Sequence, residues 1–60
     1  MKNTYRTTFQ VCRDNVAAAK AFTAALVAAG HEAHQDGASV DHECPYDVAH
    51  DLIVATEKAN

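Results

Sequence analysis

Apolar and polar residues alternate along the first part of the chain. Tyr5, Phe9 and Val11 occupy odd positions between residues 4 and 12, and polar residues such as Arg6 stand between them. A period of two places successive side chains on opposite faces of a strand. The pattern therefore predicts a β-strand over residues 4–12 that has one apolar face and one polar face.

The period changes after this strand, and residues 16–29 are typical of a helix. Either Asp14 or Asn15 suits the N-cap, and Gly30 suits the left-handed position that follows a helix C-terminus. The many alanines favour the helical conformation and allow close packing on a sheet. The predicted core-facing stripe has helical spacing and consists of Ala18, Phe22, Ala25, Leu26 and Ala29.

Two short strands and a second helix are predicted in the rest of the chain. Residues 31–35 and 38–44 have strand character and are joined at Asp36-Gly37, a dipeptide that favours tight hairpin turns. Pro45 fits the first turn of the helix that follows. The predicted buried positions of that helix are Val48, Ala49, Leu52, Ile53, Thr56 and Ala59.

The predicted element order, β-α-β-β-α, indicates a single α+β domain over residues 1–60. Because crossover connections are right-handed, we expect both helices on one face of a three-stranded, mostly antiparallel sheet whose third strand is central. This two-layer arrangement resembles a ferredoxin-like unit that lacks its last strand. The resemblance concerns architecture and implies nothing about function.

The chain is small, which limits how much apolar surface it can bury. A domain of 60 residues covers only about 60% of the surface of its unfolded chain. Self-association would bury more, so a homodimer is a hypothesis at this point. No stretch has the roughly 20 apolar residues that span a bilayer. We expect a cytoplasmic protein without a membrane partner, in which Cys12 and Cys44 are free thiols.

Charged residues are distributed unevenly along the chain. No lysine or arginine occurs between Lys20 and Lys58, whereas the same interval contains seven carboxylates. The first 20 residues instead contain four cations and the single carboxylate of Asp14. A surface that serves only solubility normally intersperses both signs. The separation therefore favours a binding surface for a basic partner.

The spacing of the carboxylates is similar to the spacing of phosphates along a nucleic-acid strand. Asp41 and Glu43 share one face of a predicted strand at roughly 6.6 Å, and Asp47 and Asp51 are one helical turn apart at roughly 6 Å. Phosphates along a nucleic-acid strand have a spacing of the same order, about one per 3.4 Å of axis. We therefore predict a continuous acidic patch, uninterrupted by cations, that consists of Glu32, Asp36, Asp41, Glu43, Asp47 and Asp51.

The acidic residues also have a simpler interpretation. Solvated carboxylates keep small proteins soluble, and on general grounds a solvated face without a role is slightly the more frequent case. The absence of lysine and arginine from residues 21–57 shifts our interpretation toward binding. Both interpretations remain open at the level of the sequence.

Four histidines and two cysteines suggest a zinc site as an alternative. The spacings of His31 with His34, and of His42 with Cys44, do not match zinc fingers, ribbons or knuckles. The predicted third strand nevertheless places His42 and Cys44 on one side, where Cys12 can approach them. A zinc-binding module that uses Cys12, His42 and Cys44 is therefore a minor hypothesis. The main interpretation includes no metal and no cofactor.

Catalysis and direct nucleic-acid binding are not expected. The chain has no glycine-rich phosphate loop and no Ser-His-Asp pattern, and a domain this small has little room for a pocket of several hundred Å³. Sheets that bind RNA present aromatic residues on their open face, whereas Tyr5 and Phe9 belong to the predicted buried face. The formal net charge of −3 also opposes contact with phosphates.

The leading functional hypothesis is a small inhibitor or adaptor that presents its carboxylates to a basic, nucleic-acid-binding protein or complex. Proteins of this size and charge include phage-encoded inhibitors such as anti-CRISPR proteins, and antitoxins. This expectation concerns a class of proteins, because the chain has no motif of a particular family. The alternative is a structural or regulatory homo-oligomer without an acidic binding site.

Overall fold

A computed structural model describes residues 3–10 and 13–59. The element order confirms the predicted α+β fold, although each strand is shorter than predicted. Val11 and Cys12, which the sequence pattern assigns to the first strand, lie outside the described residues. The elements are β1 (Tyr5–Thr8), α1 (Asn15–Ala28), β2 (Ala33–Asp36), β3 (Ser39–His42) and α2 (Tyr46–Ala59).

The three strands form one sheet in the order β1-β3-β2, and β3 pairs antiparallel with both neighbours. The predicted central position of the third strand is therefore confirmed. The register aligns Val40 of β3 with Thr7 on one side and with Gln35 on the other. Register partners on the three strands form a row of three side chains across the sheet. Because side chains alternate along each strand, one row points toward the helices and the next row points away from them.

The hairpin turn between β2 and β3 lies one residue later than the sequence predicts. Asp36 pairs with Ser39, which leaves Gly37 and Ala38 as the two central residues. Gly37 has a φ of +62°, whereas Ala38 has a negative φ. Glycine at the first of two central positions is the signature of a type II′ turn. The prediction of a hairpin is confirmed, and the prediction of its two tip residues is wrong.

Caps at both ends define α1. Asp14 Oδ1 accepts a hydrogen bond from the backbone N–H of Ala17 at 3.0 Å, which identifies Asp14 as the N-cap. At the other end Gly30 has a φ of +90°, and the N–H of His31 donates to the carbonyl of Leu26 at 2.9 Å. This is the Schellman arrangement, which turns the chain from the helix toward β2.

The core lies between the two helices and one face of the sheet. Phe22 and Leu26 of α1 are fully buried in a cluster that includes Val40 of β3 and Ala49 of α2. Phe9 packs edge-on against Phe22, with ring centroids 5.3 Å apart. On the other face of the sheet, the side chains of Arg6, His34 and Asp36 are exposed.

α2 buries less of its surface than the sequence predicts. Ala49 and Thr56 are buried, as expected for the core-facing side. Val48 and Ala59 are exposed, contrary to prediction, because α2 packs mainly on α1 and contacts the sheet little. Over the two described ranges, no helix combines the length and the apolarity that crossing a membrane requires.

Candidate functional site

Polar side chains cover the face of the sheet that points away from the helices. Arg6, Asp41 and His34 are register partners, so their side chains form one row across β1, β3 and β2. The hydroxyl oxygens of Thr8 and Ser39 lie 2.8 Å apart in the next row, which Asp36 completes. We call this surface the open face; it consists of these two rows and of the residues that flank the strands at Thr4, Glu32 and Glu43.

Arg6 is the centre of the charge network on the open face. Its Nε donates to Asp41 Oδ1 at 2.8 Å and its Nη2 donates to Asp41 Oδ2 at 3.0 Å, which is the strong bidentate geometry. Nη2 also donates to Asp36 Oδ2 at 3.3 Å. The hydrogen bond with Asp41 raises the pKa of Arg6, and the same bond lowers the pKa of Asp41.

The expectation of an acidic patch uninterrupted by cations is wrong. Arg6 belongs to the basic N-terminal segment, and the sheet order places its strand directly beside β3. The guanidinium therefore lies between Asp36 and Asp41 and neutralises part of their charge. The sequence did contain the signal, because a central third strand puts Arg6 and Asp41 on the same face of adjacent strands.

A shallow groove of about 90 Å³ lies at the end of the open face, beyond Arg6. The backbone N–H of Glu32 donates to Glu43 Oε1 at 3.3 Å, and the backbone N–H of Glu43 donates to the Glu32 carbonyl at 3.2 Å. These bonds hold the two glutamates side by side. The residues that line the groove are Thr4, Glu32, His34, Asp41, His42 and Glu43, of which three are predicted site carboxylates.

Asp47 and Asp51 lie apart from the groove, in the helical layer of the fold. Both are exposed residues of α2. Asp47 is in the first helical turn, where the helix dipole favours a carboxylate, and Asp51 lies 3.5 Å from His50 Nδ1. The six predicted residues are therefore divided between two layers. The four that share the open face are Glu32, Asp36, Asp41 and Glu43.

The Arg6–Asp41 pair should make the stability of the fold depend on pH. The pKa of Asp41 in the folded chain lies below its ordinary value of 3.8, so the pair stabilises fully above that value and its contribution is lost as the pH falls below it. We expect Asp41→Asn to lower the urea midpoint at neutral pH and to change it little in acid. Because both side chains are partly exposed, the effect should be small and should decrease in concentrated salt.

Asp51→Asn is the matched control for this measurement, because it removes a fully exposed carboxylate by the same chemical change. The control should leave the urea midpoint within error of the wild type at neutral pH. An equal loss for Asp41→Asn in neutral and in acid solution would show that the ion pair is not the cause.

A buried histidine joins the sheet to both helices. His42 is 2% exposed, and its ring lies 5.5 to 6.1 Å, between centroids, from the rings of Tyr5, Phe22 and Tyr46. His42 Nδ1 lies 2.9 Å from the Cys44 carbonyl oxygen, and Nε2 lies 2.8 Å from Thr7 Oγ1. A carbonyl oxygen only accepts, so Nδ1 carries a proton. In the neutral ring, Nε2 therefore accepts from the Thr7 hydroxyl.

These contacts give the zinc hypothesis no support. Both ring nitrogens of His42 are occupied by hydrogen bonds. Burial raises the pKa of Cys44, which opposes the thiolate form that a metal ligand or a nucleophile needs. Cys12 lies outside the described residues. Within residues 3–10 and 13–59, no three His, Cys, Asp or Glu side chains are placed to hold a metal ion.

Tyr46 contributes to the site in a way that the sequence does not predict. Its hydroxyl donates to the carbonyl oxygen of Arg6 at 2.8 Å, and its ring packs edge-on against Tyr5 with centroids 5.2 Å apart. The Arg6 carbonyl belongs to the free edge of β1, and free edges are templates for pairing with other chains. Tyr46 therefore occupies part of this edge and ties the start of α2 to the strand that carries Arg6.

Comparisons of the chain with protein-family models, with curated proteins and with solved structures found no match. What the open face can do is therefore inferred from its own geometry and charge.

Proposed function

We propose that the protein is a small inhibitor or adaptor that presents its open face to a basic site on a nucleic-acid-binding protein or complex. The observation that carries the proposal is the groove in which Glu32, Asp41 and Glu43 lie together. Arg6 is the only lysine or arginine of the three described strands. The same face carries Glu32, Asp36, Asp41 and Glu43, and a surface on which carboxylates are concentrated favours the approach of a cationic partner.

The contacts of Arg6 also favour binding, because they fix the positions of carboxylates before a partner binds. Asp36 and Asp41 are both held by the guanidinium, and Glu43 is held by the backbone of Glu32. Side chains that are already ordered lose less conformational entropy when a partner binds. Arg6 is therefore a positioning residue in this proposal, and the carboxylates at the groove are the contact residues.

The geometry favours a cationic macromolecule over a small substrate. The groove of about 90 Å³ is well below the several hundred Å³ of ordinary ligand pockets. A site built for nucleic acid offers rows of lysine and arginine, which an array of carboxylates at phosphate-like spacing can occupy. Phage-encoded inhibitors, anti-CRISPR proteins among them, and antitoxins are the classes to which such a DNA mimic would belong, with a cytoplasmic site of action.

The test uses immobilised protein and the fraction of a cell extract that a heparin column retains, which is enriched in nucleic-acid-binding proteins. We expect the wild type to retain polypeptides that are released by salt and by duplex DNA or RNA as competitor. Glu32→Gln with Glu43→Gln keeps side-chain size and a hydrogen-bond acceptor at Oε1 but removes two charges. This variant should weaken retention by roughly 30- to 150-fold, since exchanging a charge-assisted contact of about 1.5–3 kcal/mol for a neutral one of about 0.5–1.5 kcal/mol loses about 1–1.5 kcal/mol at each of the two positions.

Asp47→Asn with Asp51→Asn is the matched control, because it removes the same amount of charge from the helical layer. The control should retain the polypeptides nearly as well as the wild type. Equal losses of retention in the two double variants would show that binding depends on the net charge of the protein and does not depend on the groove. Retention that DNA and RNA fail to reverse would exclude mimicry of nucleic acid.

A further inference from the structure

The outer edge of β2 has backbone hydrogen-bonding groups that no strand of the described sheet uses. β2 lies at one end of the strand order and pairs with β3 alone. The backbone N–H of Glu43 donates to the Glu32 carbonyl at 3.2 Å, and bonded positions of this kind recur at every second residue of an antiparallel pair. Ala33 and Gln35 lie between those positions, so their N–H and C=O groups point outward. Unpaired groups at an edge are a template for an added strand.

The two edges of the sheet are not equivalent. At the β1 edge, the hydroxyl of Tyr46 already donates to the outward carbonyl of Arg6 at 2.8 Å. At the β2 edge, the side-chain amide of Gln35 donates to the carbonyls of Val16 and Gly37, at 3.2 and 3.0 Å, and so does not bond the edge itself. The edge of β2 is therefore the more accessible of the two to an incoming strand.

An apolar surface of α1 adjoins this edge. The hydrogen bond from Gln35 to the Val16 carbonyl places that side of α1 beside β2. Val16 and Val27 are 53% and 57% exposed, although folding normally buries valine. They are 11 residues apart, which is about three helical turns, so they lie on the same side of the helix. A strand added to β2 extends the sheet next to α1 and covers these side chains with its inner face.

We propose that the part of the basic partner that binds here is an extended segment, which adds to the free edge of β2 as a fourth, antiparallel strand. The inference rests on the proposed function and names the form in which the partner presents its cations. Main-chain hydrogen bonds to Ala33 and Gln35 supply affinity, and side chains at alternate positions supply specificity. Antiparallel pairing is the more stable arrangement per residue.

The charges on the two sides of the edge determine the sequence pattern of that segment. On the open face it lies beside the exposed residues Glu32 and Asp36, where lysine or arginine is favourable. On the inner side it lies over the two valines and Lys20, which is four residues after the first valine and disfavours a second cation. Arg13 and Asp14 precede α1 with opposite charges and add no net preference. The segment therefore alternates cations with apolar residues.

A second copy of the chain is a less favourable occupant of this edge. Pairing of β2 with β2 would join two open faces into one surface, on which the carboxylates of one copy lie beside those of the other. Like charges on neighbouring strands destabilise the pairing. A cationic segment supplies the opposite charge instead.

Amide hydrogen exchange of the isotope-labelled chain, measured by NMR, tests the pairing with a defined probe. The probe is a peptide of alternating lysine and valine, about six residues long, with blocked ends. With the peptide at about ten times its Kd, exchange at Ala33 and Gln35 should slow by about tenfold, because these amides then exchange only in the free protein. Exchange at Arg6 and Thr8, on the β1 edge, should stay within about twofold of its original rate.

Two methylated peptides separate backbone pairing from attraction between charges. Residues directly opposite in an antiparallel pair share a face, so the backbone groups of the valines bond Ala33 and Gln35 and those of the lysines point away. N-methylation of the valine amides should abolish the slowing, whereas N-methylation of the lysine amides, with the same charge and mass, should preserve it. Val27→Lys puts a cation under the inner face and should raise the peptide Kd by about tenfold. Val48→Lys is its matched control on an exposed position of α2 and should leave the Kd within about twofold.

Several results would overturn the pairing at β2. Peptide binding without slower exchange at Ala33 and Gln35, or with equal effects of the two methylated peptides, would do so and leave the proposed function in place. A peptide that fails to bind a chain which still retains polypeptides of the heparin-bound fraction would do the same. Exchange at these amides that slows with protein concentration alone would assign the edge to a second copy. Peptide pairing at β2 in a chain that retains no such polypeptide would instead contradict the proposed function and support the edge as a binding site.

Discussion

Phe22→Ala should leave the protein largely unfolded at room temperature. Phe22 is fully buried, and its ring packs edge-on against Phe9 at 5.3 Å and against His42 at 5.5 Å. Removing a phenylalanine ring from a core costs about 3–5 kcal/mol, because transfer free energy is lost and a cavity remains. A single core in a domain of 60 residues rarely supplies more than about 3–5 kcal/mol. The loss is therefore comparable with the whole free energy of unfolding.

Far-UV circular dichroism and urea unfolding measure this effect. Phe22→Leu should cost roughly 1–2 kcal/mol and leave a folded protein, since most of the apolar volume remains. Val48→Ala is the control, because Val48 is large and apolar but 52% exposed, and it should change stability by less than about 0.5 kcal/mol. A Phe22→Ala variant that unfolds at the wild-type midpoint would show that the core is not centred on this ring.

Local sequence patterns were sufficient to predict the elements of this fold and their order. The strict alternation around Tyr5 and Phe9 identified the first strand, and the caps at Asp14 and Gly30 framed the first helix. Each of these signals depends on residues that are close in the sequence. The topology then followed from general rules on handedness and on hairpins, which leave few arrangements for five elements.

Details that depend on packing were predicted less well. The Asp36-Gly37 dipeptide indicated the hairpin, but the register of β2 with β3 placed the turn at Gly37 and Ala38. Periodicity identified the apolar side of α2 without showing what covers it, and Val48 is exposed because α2 packs mainly on α1. Register and the choice of packing partner are set by contacts between distant residues, which a single sequence does not display.

The electrostatics of the candidate site depend on which strands are neighbours in the sheet, a step that the count of charges along the chain left out. Along the chain, Arg6 and Asp41 belong to segments of opposite charge and are 35 residues apart. In the sheet they are direct neighbours, and a bidentate ion pair joins them. Charge separation in the sequence therefore did not become charge separation in space. The grouping of Glu32 with Glu43 likewise depends on how β2 and β3 pair.

The two faces of the sheet have different roles: the inner face stabilises the fold, and the open face forms the charged surface. On the open face, Arg6 holds Asp36 and Asp41, whose side chains remain partly exposed to solvent. On the inner face, the next residues of the same strands, Thr7 and His42, bind each other and lock β1 to β3. Because the two sets alternate along the same strands, a loss of the inner contact would also disturb the groove.

His42→Phe should be the second large perturbation, at about 2–3 kcal/mol. Phenylalanine retains a ring against Tyr5, Phe22 and Tyr46 but removes both ring nitrogens. The Cys44 carbonyl oxygen and the Thr7 hydroxyl then lose their partner, and each unsatisfied group in a buried position costs about 1–3 kcal/mol. Because Thr7 is half-buried, water can replace part of the hydrogen bond that its hydroxyl loses. The expected loss of stability is therefore smaller than the sum of the costs of the two unsatisfied groups.

A double-mutant cycle with Thr7→Val separates hydrogen bonding from packing. Thr7→Val alone should cost about 1–2 kcal/mol, because it leaves Nε2 of His42 without its hydroxyl partner. In the His42→Phe background the same change should cost about 1 kcal/mol less, since the bond is already absent. Thr8→Val, on the open face of the same strand, should cost less than about 0.5 kcal/mol. Urea unfolding of the four proteins of the cycle measures the coupling, and strict additivity would mean that the bond between Thr7 and His42 does not stabilise the fold.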